Sequence, residues 1–321
     1  MKLIALITLI FVFSCGEAEL ESQSKTDPKR IQLALNWFPE AEHGGFYAAQ
    51  IHGYYADKNL EVEILGGGPD APVIQRVATG SVEFGVTNAD DVLYARAQQA
   101  PVVAIMAPYQ VNPRCIMVHA DSGIEQIGQI ENITLAMSQR PAFSHYLRWK
   151  YPLKGVNIVP YPGNVSQFLA NPKFAQQAYI FSEPFVAKAK GGNPKSLLVA
   201  DIGFNPYASV LIVTQSTIRD QADIVRAVVQ ASIQGWKHYL EDPTETNRHI
   251  NSLNPEMGIE ILAYGAEASK DLVFNTIAKE KGLGHMSNER WDTLYDQMKN
   301  ASLIEVDRDN VSSAFDTQFL K

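Results

Sequence analysis

Short apolar runs alternate along this chain with stretches in which apolar residues recur every three or four positions. The runs are typical of β-strands and the recurring positions of amphipathic helices. The first runs predict strands at Ile31–Leu35, Leu60–Leu65, Val82–Val86 and Pro101–Ala107. The stretches between them predict helices from about His43 to His52, from Asp70 or Pro72 to Gly80, and from the cap Thr87–Asp91 to about Gln98. This alternation predicts an α/β fold.

A second α/β unit follows the strand Arg114–His119, which is placed to cross from the first unit to the second. Its predicted strands are Ile133–Met137, Val156–Val159, Ala178–Phe181 and Leu197–Ala200, and its predicted helices are Ala142–Lys150, Val165–Ala170 and Pro184–Lys190. Ala208–Thr214 resembles a strand that returns to the first unit. The remainder is helical: Trp236 lies on the apolar face of a long helix, and Pro255–Ala268 and Asn288–Met298 follow as surface helices.

The first residues resemble a bacterial lipoprotein signal. Lys2 precedes the apolar segment Leu3–Phe13, which is too short to span a bilayer as a mature helix. Val12-Phe13-Ser14-Cys15 resembles a lipobox, in which cleavage precedes the cysteine and its thiol is acylated. An ordinary signal peptide with a chance cysteine is the alternative. We predict a lipoprotein signal peptide over residues 1–14, lipidation at Cys15, and a flexible tether over residues 15–30, which are polar and lack apolar periodicity.

Composition limits the class of protein further. A chain of 321 residues with 46% hydrophobic residues is long enough for about two domains. Lysine and arginine number 27 against 35 aspartate and glutamate residues, which gives a net charge of −8. No basic cluster occurs, so nucleic acid is not an expected partner. With Cys15 acylated, Cys115 has no partner, and no disulfide framework is expected.

Motifs of catalytic or metal sites do not occur in the sequence. No His-x-x-x-His or Cys-x-x-Cys pair suits a metal, and no Gly-x-Ser-x-Gly suits a serine nucleophile. The run Gly66-Gly-Gly-Pro-Asp70 lacks the lysine and the serine or threonine of a P-loop, so we interpret it as a tight turn where backbone comes close to a ligand. We therefore expect no catalytic residue, no metal and no cofactor.

Candidate binding residues lie where the first strand ends. Asn36, Trp37 and Phe38 follow Ile31–Leu35, and His43 is near the start of the next helix. Small ligands bind at the carboxyl ends of strands in open α/β sheets, and a helix start offers unpaired backbone N–H groups. Trp37 offers a flat face to a planar ring, although most aromatic residues belong to cores and a lone histidine more often only begins a helix.

The segment Leu35–Tyr55, followed by Leu60–Leu65 and Gly80–Val86, resembles the first lobe of periplasmic-binding-protein-like proteins of thiamine-pyrimidine metabolism. That family includes formylaminopyrimidine-binding proteins of salvage transporters, eukaryotic thiamine-pyrimidine synthases, and related sulfonate-, nitrate- and riboflavin-type solute-binding proteins. The resemblance extends from about Leu33 to about Leu303. It is most specific at Asn36-Trp37-Phe38 with His43 and at Ser182-Glu183-Pro184.

This resemblance implies a two-lobed, type II periplasmic-binding-protein-like α/β fold with a cleft between the lobes. Residues 31–118 would form the first part of lobe 1, residues 119–205 lobe 2, and residues 206–321 the return to lobe 1 with C-terminal helices. His43 matches the motif histidine of the family and would hydrogen-bond a ring nitrogen. Glu183 would pair with an exocyclic amine across the cleft, although a glutamate at a helix start is also an ordinary favourable charge.

Two further polar residues leave alternatives open. Asn88 follows a strand and either caps the next helix or faces the cleft. Arg140 follows the strand Ile133–Met137 and would meet an anionic group, or is a surface arginine.

The resemblance implies a substrate-binding lipoprotein of an ABC importer. A thiamine pyrimidine precursor such as formylaminopyrimidine is the first expected ligand, riboflavin is close behind, and sulfonates, taurine or nitrate rank lower. Its expected partners are the small-molecule ligand, a permease in the inner membrane, and the membrane itself through the lipid anchor. We expect a monomer in the bacterial cell envelope. An enzyme like the synthases is disfavoured because their cysteine motif is missing, and a lipoprotein sensor or structural partner is a third possibility.

Overall fold

The computed structural model describes residues 27–311 and 313–321. The predicted signal peptide, Cys15 and most of the predicted tether lie outside the described residues. Ten strands occur in the described part of the chain: β1 Lys29–Ala34, β2 Leu60–Leu65, β3 Phe84–Thr87, β4 Val102–Met106, β5 Arg114–His119, β6 Thr134–Ala136, β7 Asn157–Val159, β8 Phe174–Tyr179, β9 Pro194–Leu198 and β10 Val210–Thr214.

The helices lie between these strands and after the last of them. Those between strands are α1 Gly44–Ile51, α2 Val73–Ala78, α3 Ala89–Ala97, α4 Ala142–Lys150, α5 Ser166–Ala170 and α6 Glu183–Ala189. Those after β10 are α7 Gln215–Asp220, α8 Ala222–Glu241, α9 Thr244–Leu253, α10 Ile259–Val273, α11 Thr276–Lys281 and α12 Asn288–Asn300. No helix of the described residues is long and apolar enough to cross a membrane.

The strands form two five-stranded mixed sheets of the same design. The first sheet has the order β2-β1-β3-β10-β4 and the second β7-β6-β8-β5-β9. In the first, β1 pairs in parallel with β2 and β3, and β10 runs antiparallel between β3 and β4. In the second, β6 pairs in parallel with β7 and β8, and β5 runs antiparallel between β8 and β9. The return of Val210–Thr214 to the first sheet agrees with the sequence pattern.

Strand β5 differs from the expected lobe boundary. A boundary after residue 118 assigns most of this strand to lobe 1, whereas its hydrogen bonds join β8 and β9 of the second sheet. Residues 115–118 are all buried. An apolar run without alternation fits the interior of either sheet, so the sequence pattern could not decide between them.

Strand β8 was predicted too late along the chain. The sequence pattern gives Ala178–Phe181, whereas the strand spans Phe174–Tyr179. Gln176 and Gln177 interrupt its apolar run, yet both are buried. The backbone N–H of Ser138 donates to Gln177 Oε1 at 2.7 Å, which shows how a buried amide in this strand is satisfied.

The long helix α8 holds helix α1 in place at the edge of the first sheet. A Cβ atom added to Gly44 would lie 2.1 Å from Cε1 of Tyr239, and one added to Gly45 would lie 2.1 Å from Cγ of Trp236. The two glycines therefore allow both aromatic rings to pack directly on the α1 backbone. Trp236 is fully buried, as the sequence pattern predicts.

Two chain crossings join the sheets, and helix α12 packs against both. Arg290 Nη1 donates to the Gln110 carbonyl at 2.6 Å, in the crossing from β4 to β5. Its Nε donates to the Asn205 carbonyl at 2.8 Å, in the crossing from β9 to β10. The guanidinium lies 3.8 Å from the ring centre of Tyr207, also in the second crossing. One side chain thus ties the two crossings together.

Candidate functional site

The loops after β1 and β3 of the first sheet meet the loops after β6, β7 and β8 of the second sheet. Parallel strands end on the same side of each sheet, which is where open α/β folds bind ligands. Residues predicted from the sequence lie in these loops, and the structure adds others that the sequence analysis missed.

Asn36 and His43 are joined directly. His43 Nε2 lies 3.0 Å from Asn36 Oδ1. Because an amide oxygen can only accept, this contact places the imidazole proton on Nε2. His43 is fully buried, and burial lowers its pKa against the opposing effects of Glu42 and the Phe38 backbone. The imidazole is therefore neutral near pH 7 and positions Asn36; direct ligand contact by His43 stays a prediction.

Trp37 and Phe38 stand at the opening of the cleft. Their ring centroids are 5.5 Å apart with an interplanar angle of 68°. Phe38 is 47% exposed, whereas Trp37 is half-buried. The glycine run after β2 packs behind them: the Gly67 N–H donates to the Trp37 carbonyl at 2.9 Å. The sequence predicts that the backbone at these glycines comes close to a ligand. In the structure, the backbone there packs against the Trp37 loop.

Glu40 and Glu42 were not among the binding residues predicted from the sequence. Both side chains are buried, at 5% and 0% exposure. Glu42 Oε1 accepts a hydrogen bond from Ser209 Oγ at 2.7 Å. Burial, Glu42 and Glu183 together raise the pKa of Glu40 well above its ordinary value. No sequence signal marks this burial, because it arises from packing against distant helices.

Glu183 lies on the lobe 2 side, at the first position of α6. The Tyr161 hydroxyl donates to its Oε1, and the Tyr179 N–H donates to its Oε2 at 2.9 Å. Burial raises the pKa of Glu183, while these two hydrogen bonds oppose the rise. Glu183 also contributes to the raised pKa of Glu40, after burial and Glu42.

Arg114 lies at the base of the cleft and was not predicted. Its guanidinium is stacked between the rings of Phe143 and Tyr179, at 4.4 and 4.7 Å from their centres. Its Nη2 donates to the Tyr179 hydroxyl at 2.8 Å. Burial and Asp91 raise the pKa of Asp90 to about 7, while Arg114 opposes the rise. Arginine at the start of strand β5 was the available signal, but its stacking partners Phe143 and Tyr179 are distant in the sequence.

A cavity beside Arg114 connects this base to Asn88. It is lined by residues from the segment after β3, from β5 and α4, and from both crossings: Asn88, Asp90, Asn112, Arg114, Phe143, Val199, Phe204 and Pro206. Asn88 precedes α3, yet its side chain makes no capping hydrogen bond to that helix. Instead its Oδ1 accepts from the Ser209 N–H at 3.3 Å. A ligand-binding role for Asn88 stays a prediction.

Arg140 lies at the outer edge of the cleft. Its side chain is 86% exposed, and its Nη1 lies 2.6 Å from Asp70 Oδ1. The anionic partner in this structure is thus a carboxylate of the loop after β2, so the pair joins loops of the two sheets. Its predicted contact with an anionic ligand stays a prediction. Within the described residues, no group of three or more histidine, cysteine, aspartate or glutamate residues is arranged to hold a metal.

Comparison with known proteins gives relatives over nearly the whole chain. The riboflavin-binding protein RibY of Chloroflexus aurantiacus is 26% identical over 313 residues, covering 91% of this chain and 86% of that protein. The formylaminopyrimidine-binding protein of Halalkalibacterium halodurans is 21% identical over 296 residues, covering 89% of each. Both relatives are named as binding proteins of small molecules.

The fold is also that of a known class. The periplasmic aliphatic sulphonate binding protein SsuA from Escherichia coli superposes with a TM-score of 0.69 at 10% identity, covering 92% of this chain and 94% of that one. This likeness confirms the predicted two-lobed α/β periplasmic-binding-protein fold. The sequence model described as NMT1/THI5 like matches residues 40–246, from Glu40 through the cleft residues to helix α9. The chain is therefore a member of the NMT1/THI5-like family.

Proposed function

We propose that this protein is the solute-binding component of an ABC importer and binds a small planar heteroaromatic molecule between its lobes. The observations that support the proposal are Glu183 after β8, whose carboxylate is held by the Tyr161 hydroxyl and the Tyr179 N–H, and the half-buried ring of Trp37 after β1. Such a ring stacks on a planar ligand, and carboxyl groups bind its amino groups and ring N–H groups. We favour a thiamine pyrimidine precursor such as formylaminopyrimidine, the ligand in the name of one relative.

The charges of the cleft argue against sulfonate or nitrate. Four acids lie around it on both lobes: Glu40, Glu42, Glu183 and Asp90. The guanidinium of Arg114, held between two aromatic rings, faces these acids from the base of the cleft. Four acids against this arginine make the cleft less favourable to an anion than to a ligand that donates hydrogen bonds.

Binding by closure follows from the way the lobes are joined. We propose that lobe 1 contains the first sheet and lobe 2 the second, with the hinge in the two crossings that Arg290 ties together. A ligand that touches Glu183 and the β1 loop at once stabilises the closed form, and only its extra affinity for that form drives closure. The closed form is what the permease recognises.

Riboflavin is the second candidate. A riboflavin-binding relative shares 26% identity over 91% of this chain. Phe38, 47% exposed and edge-on to Trp37, offers a second ring at the opening for a larger ring system. Protein purified from cells that make riboflavin would then be yellow.

We infer no catalytic activity of the synthase type. Cys115 is fully buried in the second sheet, and burial raises the pKa of its thiol to about 12, so it does not act as a nucleophile near neutral pH. We further propose that the protein is a monomer held at the membrane by lipid on Cys15, outside the cytoplasm and beside its permease. A sensor with the same cleft would bind the same ligand without a transport partner.

The test is titration calorimetry of the purified protein with aminopyrimidines, thiamine, riboflavin, taurine and nitrate. Trp37→Ala and Glu183→Gln should each weaken binding of the preferred ligand by about 1–3 kcal/mol, the scale of a lost stacking face or charged hydrogen bond. Trp149→Ala and Glu280→Gln are matched controls, since both residues are exposed and neither belongs to a cleft loop. Preferred binding of nitrate or a sulfonate, unchanged in Trp37→Ala, would refute the aromatic cleft.

A further inference from the structure

Arg114 presents part of its guanidinium to open space at the base of the cleft. Its Nη2 donates to the Tyr179 hydroxyl at 2.8 Å. Within the described chain, its Nε and Nη1 have no hydrogen-bond partner, and neither of these atoms is enclosed by protein. A guanidinium carries N–H groups on all three of its nitrogens and donates from each. Most of the donors of Arg114 are therefore available to a molecule in the cleft.

Two aromatic rings and the backbone hold this guanidinium in place. Phe143 from α4 and Tyr179 from β8 flank it, with their ring centres at 4.4 and 4.7 Å. The Arg114 N–H donates to Asn112 Oδ1 at 3.0 Å, and Asn112 Nδ2 donates to the Pro206 carbonyl at 3.0 Å. A group that is fixed in advance loses little freedom when it binds, so the remaining N–H groups are preorganised for a ligand.

The cavity beside Arg114 is shared with the carboxyl group of Asp90. Both residues line it, together with Asn88 and Phe143. Arg114 begins β5 of the second sheet, whereas Asp90 is in the first turn of α3, which follows β3 of the first sheet. None of the ion pairs formed by the described residues includes Arg114 or Asp90. A hydrogen-bond donor and an acceptor thus line one space from the two sheets without joining each other.

The size of this space limits what can enter it. It leaves about 10 Å³ to the centre of a water-sized group, which is room for one such group. An aromatic ring does not fit there, but a single oxygen atom on the edge or arm of a ring does. A carbonyl oxygen suits the lining, because it accepts from guanidinium N–H groups and carries no full charge for the acids of the cleft to repel.

We propose that Arg114 and Asp90 recognise an amide edge of the ligand, meaning a carbonyl group bonded to an N–H group: Arg114 donates to the carbonyl oxygen and Asp90 accepts from the N–H. This inference rests on the proposed function of the cleft and names the group that the ligand presents to its base. A formylamino group has this edge, and so has the ring N–H between two carbonyls of riboflavin. Since the two residues come from different sheets, the same edge favours the closed form.

A purely structural role for Arg114 makes a different prediction. If the guanidinium only holds Phe143 and Tyr179 in place, its replacement weakens every ligand of the cleft alike. If it binds a carbonyl oxygen, its replacement weakens only the ligands that have one. Methionine fills irregular apolar space and donates no hydrogen bond, so Arg114→Met separates the two roles. Arg219→Met is the matched control, since Arg219 is exposed on α7 and belongs to no cleft loop.

The experiment measures affinities by calorimetry for two pairs of neutral compounds. The first pair is formylaminopyrimidine and 4-amino-5-hydroxymethyl-2-methylpyrimidine, which lacks the amide edge. The second pair is riboflavin and 3-methylriboflavin, in which a methyl group replaces the hydrogen between the two carbonyls. The pair that binds identifies the ring system. Within that pair, we expect wild-type protein to bind the compound with the intact edge about tenfold or more tightly, the scale of a hydrogen bond to a charged group.

The variants assign each half of the edge to one residue. Arg114→Met should lower the affinity for formylaminopyrimidine about tenfold or more and leave that for the hydroxymethyl compound unchanged. In the second pair it should weaken both flavins, because both keep their carbonyls, whereas Asp90→Ala should weaken riboflavin and spare 3-methylriboflavin. Arg219→Met and Asp57→Ala, at exposed positions outside the cleft loops, should keep the wild-type preference. Melting temperatures show whether each variant is folded.

Each outcome bears on a stated proposal. Equal binding of both members of a pair to wild type overturns recognition of the amide edge, and the aromatic cleft stands if Trp37→Ala still weakens both. An equal loss of both pyrimidines in folded Arg114→Met shows a structural role and also overturns it. If Arg114→Met does not fold, the wild-type preference and Asp90→Ala decide. Binding of none of the four compounds overturns the proposed function together with this inference.

Discussion

Gly67 is predicted to be the most sensitive position in the glycine run after β2. A Cβ atom added there would lie 2.1 Å from the Leu35 carbonyl oxygen and 2.8 Å from the Trp37 nitrogen. Both are backbone atoms, so no side-chain rotation can relieve the overlap. The substitution Gly67→Ala therefore pushes the loop after β2 away from the Trp37 loop, and it lengthens the hydrogen bond from the Gly67 N–H to the Trp37 carbonyl.

The size of the effect follows from these distances. A carbon and a carbonyl oxygen in contact are about 3.3–3.6 Å apart, so the backbones must separate by roughly 1.2–1.5 Å. Overpacking of this kind costs about 1–3 kcal/mol, offset by about 0.4–1 kcal/mol because alanine restricts the unfolded chain. At Gly66 the nearest atom to an added Cβ is Pro39 Cδ, at 3.4 Å, which is ordinary contact. Gly66→Ala should therefore be neutral or slightly stabilising.

The assay compares the two neighbouring variants by urea unfolding and by ligand titration. We expect Gly67→Ala to unfold at lower urea and to bind more weakly, because Trp37 moves with its loop. Gly66→Ala should match wild type in both measurements. Equal stability and equal affinity of the two variants would show that the glycine run does not position Trp37.

Three further predictions concern the hinge, the cleft edge and the anchor. Arg290→Met should lower the unfolding free energy by about 2–4 kcal/mol, because two charged hydrogen bonds are lost. It should also alter ligand affinity, although Arg290 does not contact the ligand. An unchanged Kd in a folded variant would exclude a role for Arg290 in the hinge. Arg140→Ala should change affinity by no more than about 1 kcal/mol, and less at high salt, because Arg140 and Asp70 are both exposed; a larger, salt-independent loss would point to direct ligand contact. Cys15→Ser should move the protein from the membrane fraction to a soluble or uncleaved form, whereas a soluble wild type would contradict lipidation.

Much of the fold was predictable because local patterns and long-range packing agree. The alternating segment Leu60–Leu65 forms β2 with the predicted bounds, and Ala142–Lys150 forms α4 as predicted. Strand β8 was misplaced because Gln176 and Gln177 look exposed in sequence but are buried between two neighbouring strands. A polar side chain is buried when it has a hydrogen-bond partner, and that partner is often distant in the sequence. Local periodicity therefore does not predict its burial.

In the candidate site, too, some residues could be predicted from local patterns and others could not. Asn36 and Trp37 were predicted because they follow the end of an apolar run, and strand ends gather in one place in this fold. Glu183 also follows a run, but its binding role was predicted from the match of Ser182-Glu183-Pro184 to the family. Glu40 and Glu42 were overlooked because acidic residues between a proline and a helix are typical of a solvent-exposed turn. Their burial is created by α8, α10 and the opposite lobe, which no local pattern reveals. Arg114 escaped notice for a related reason, since its role depends on stacking between Phe143 and Tyr179.

The strands of the second sheet all lie between two strands of the first sheet along the chain, and this arrangement affects the order in which the sheets can form. Every strand of the second sheet lies between Arg114 and Leu198, whereas the first sheet needs β10, which ends at Thr214. Until β10 is made, β4 has no neighbouring strand in its sheet, and its five residues are all apolar. Unpaired apolar strands pair readily with other chains. During synthesis the nested sheet therefore closes first, and the interval before β10 appears is when the chain is most open to aggregation.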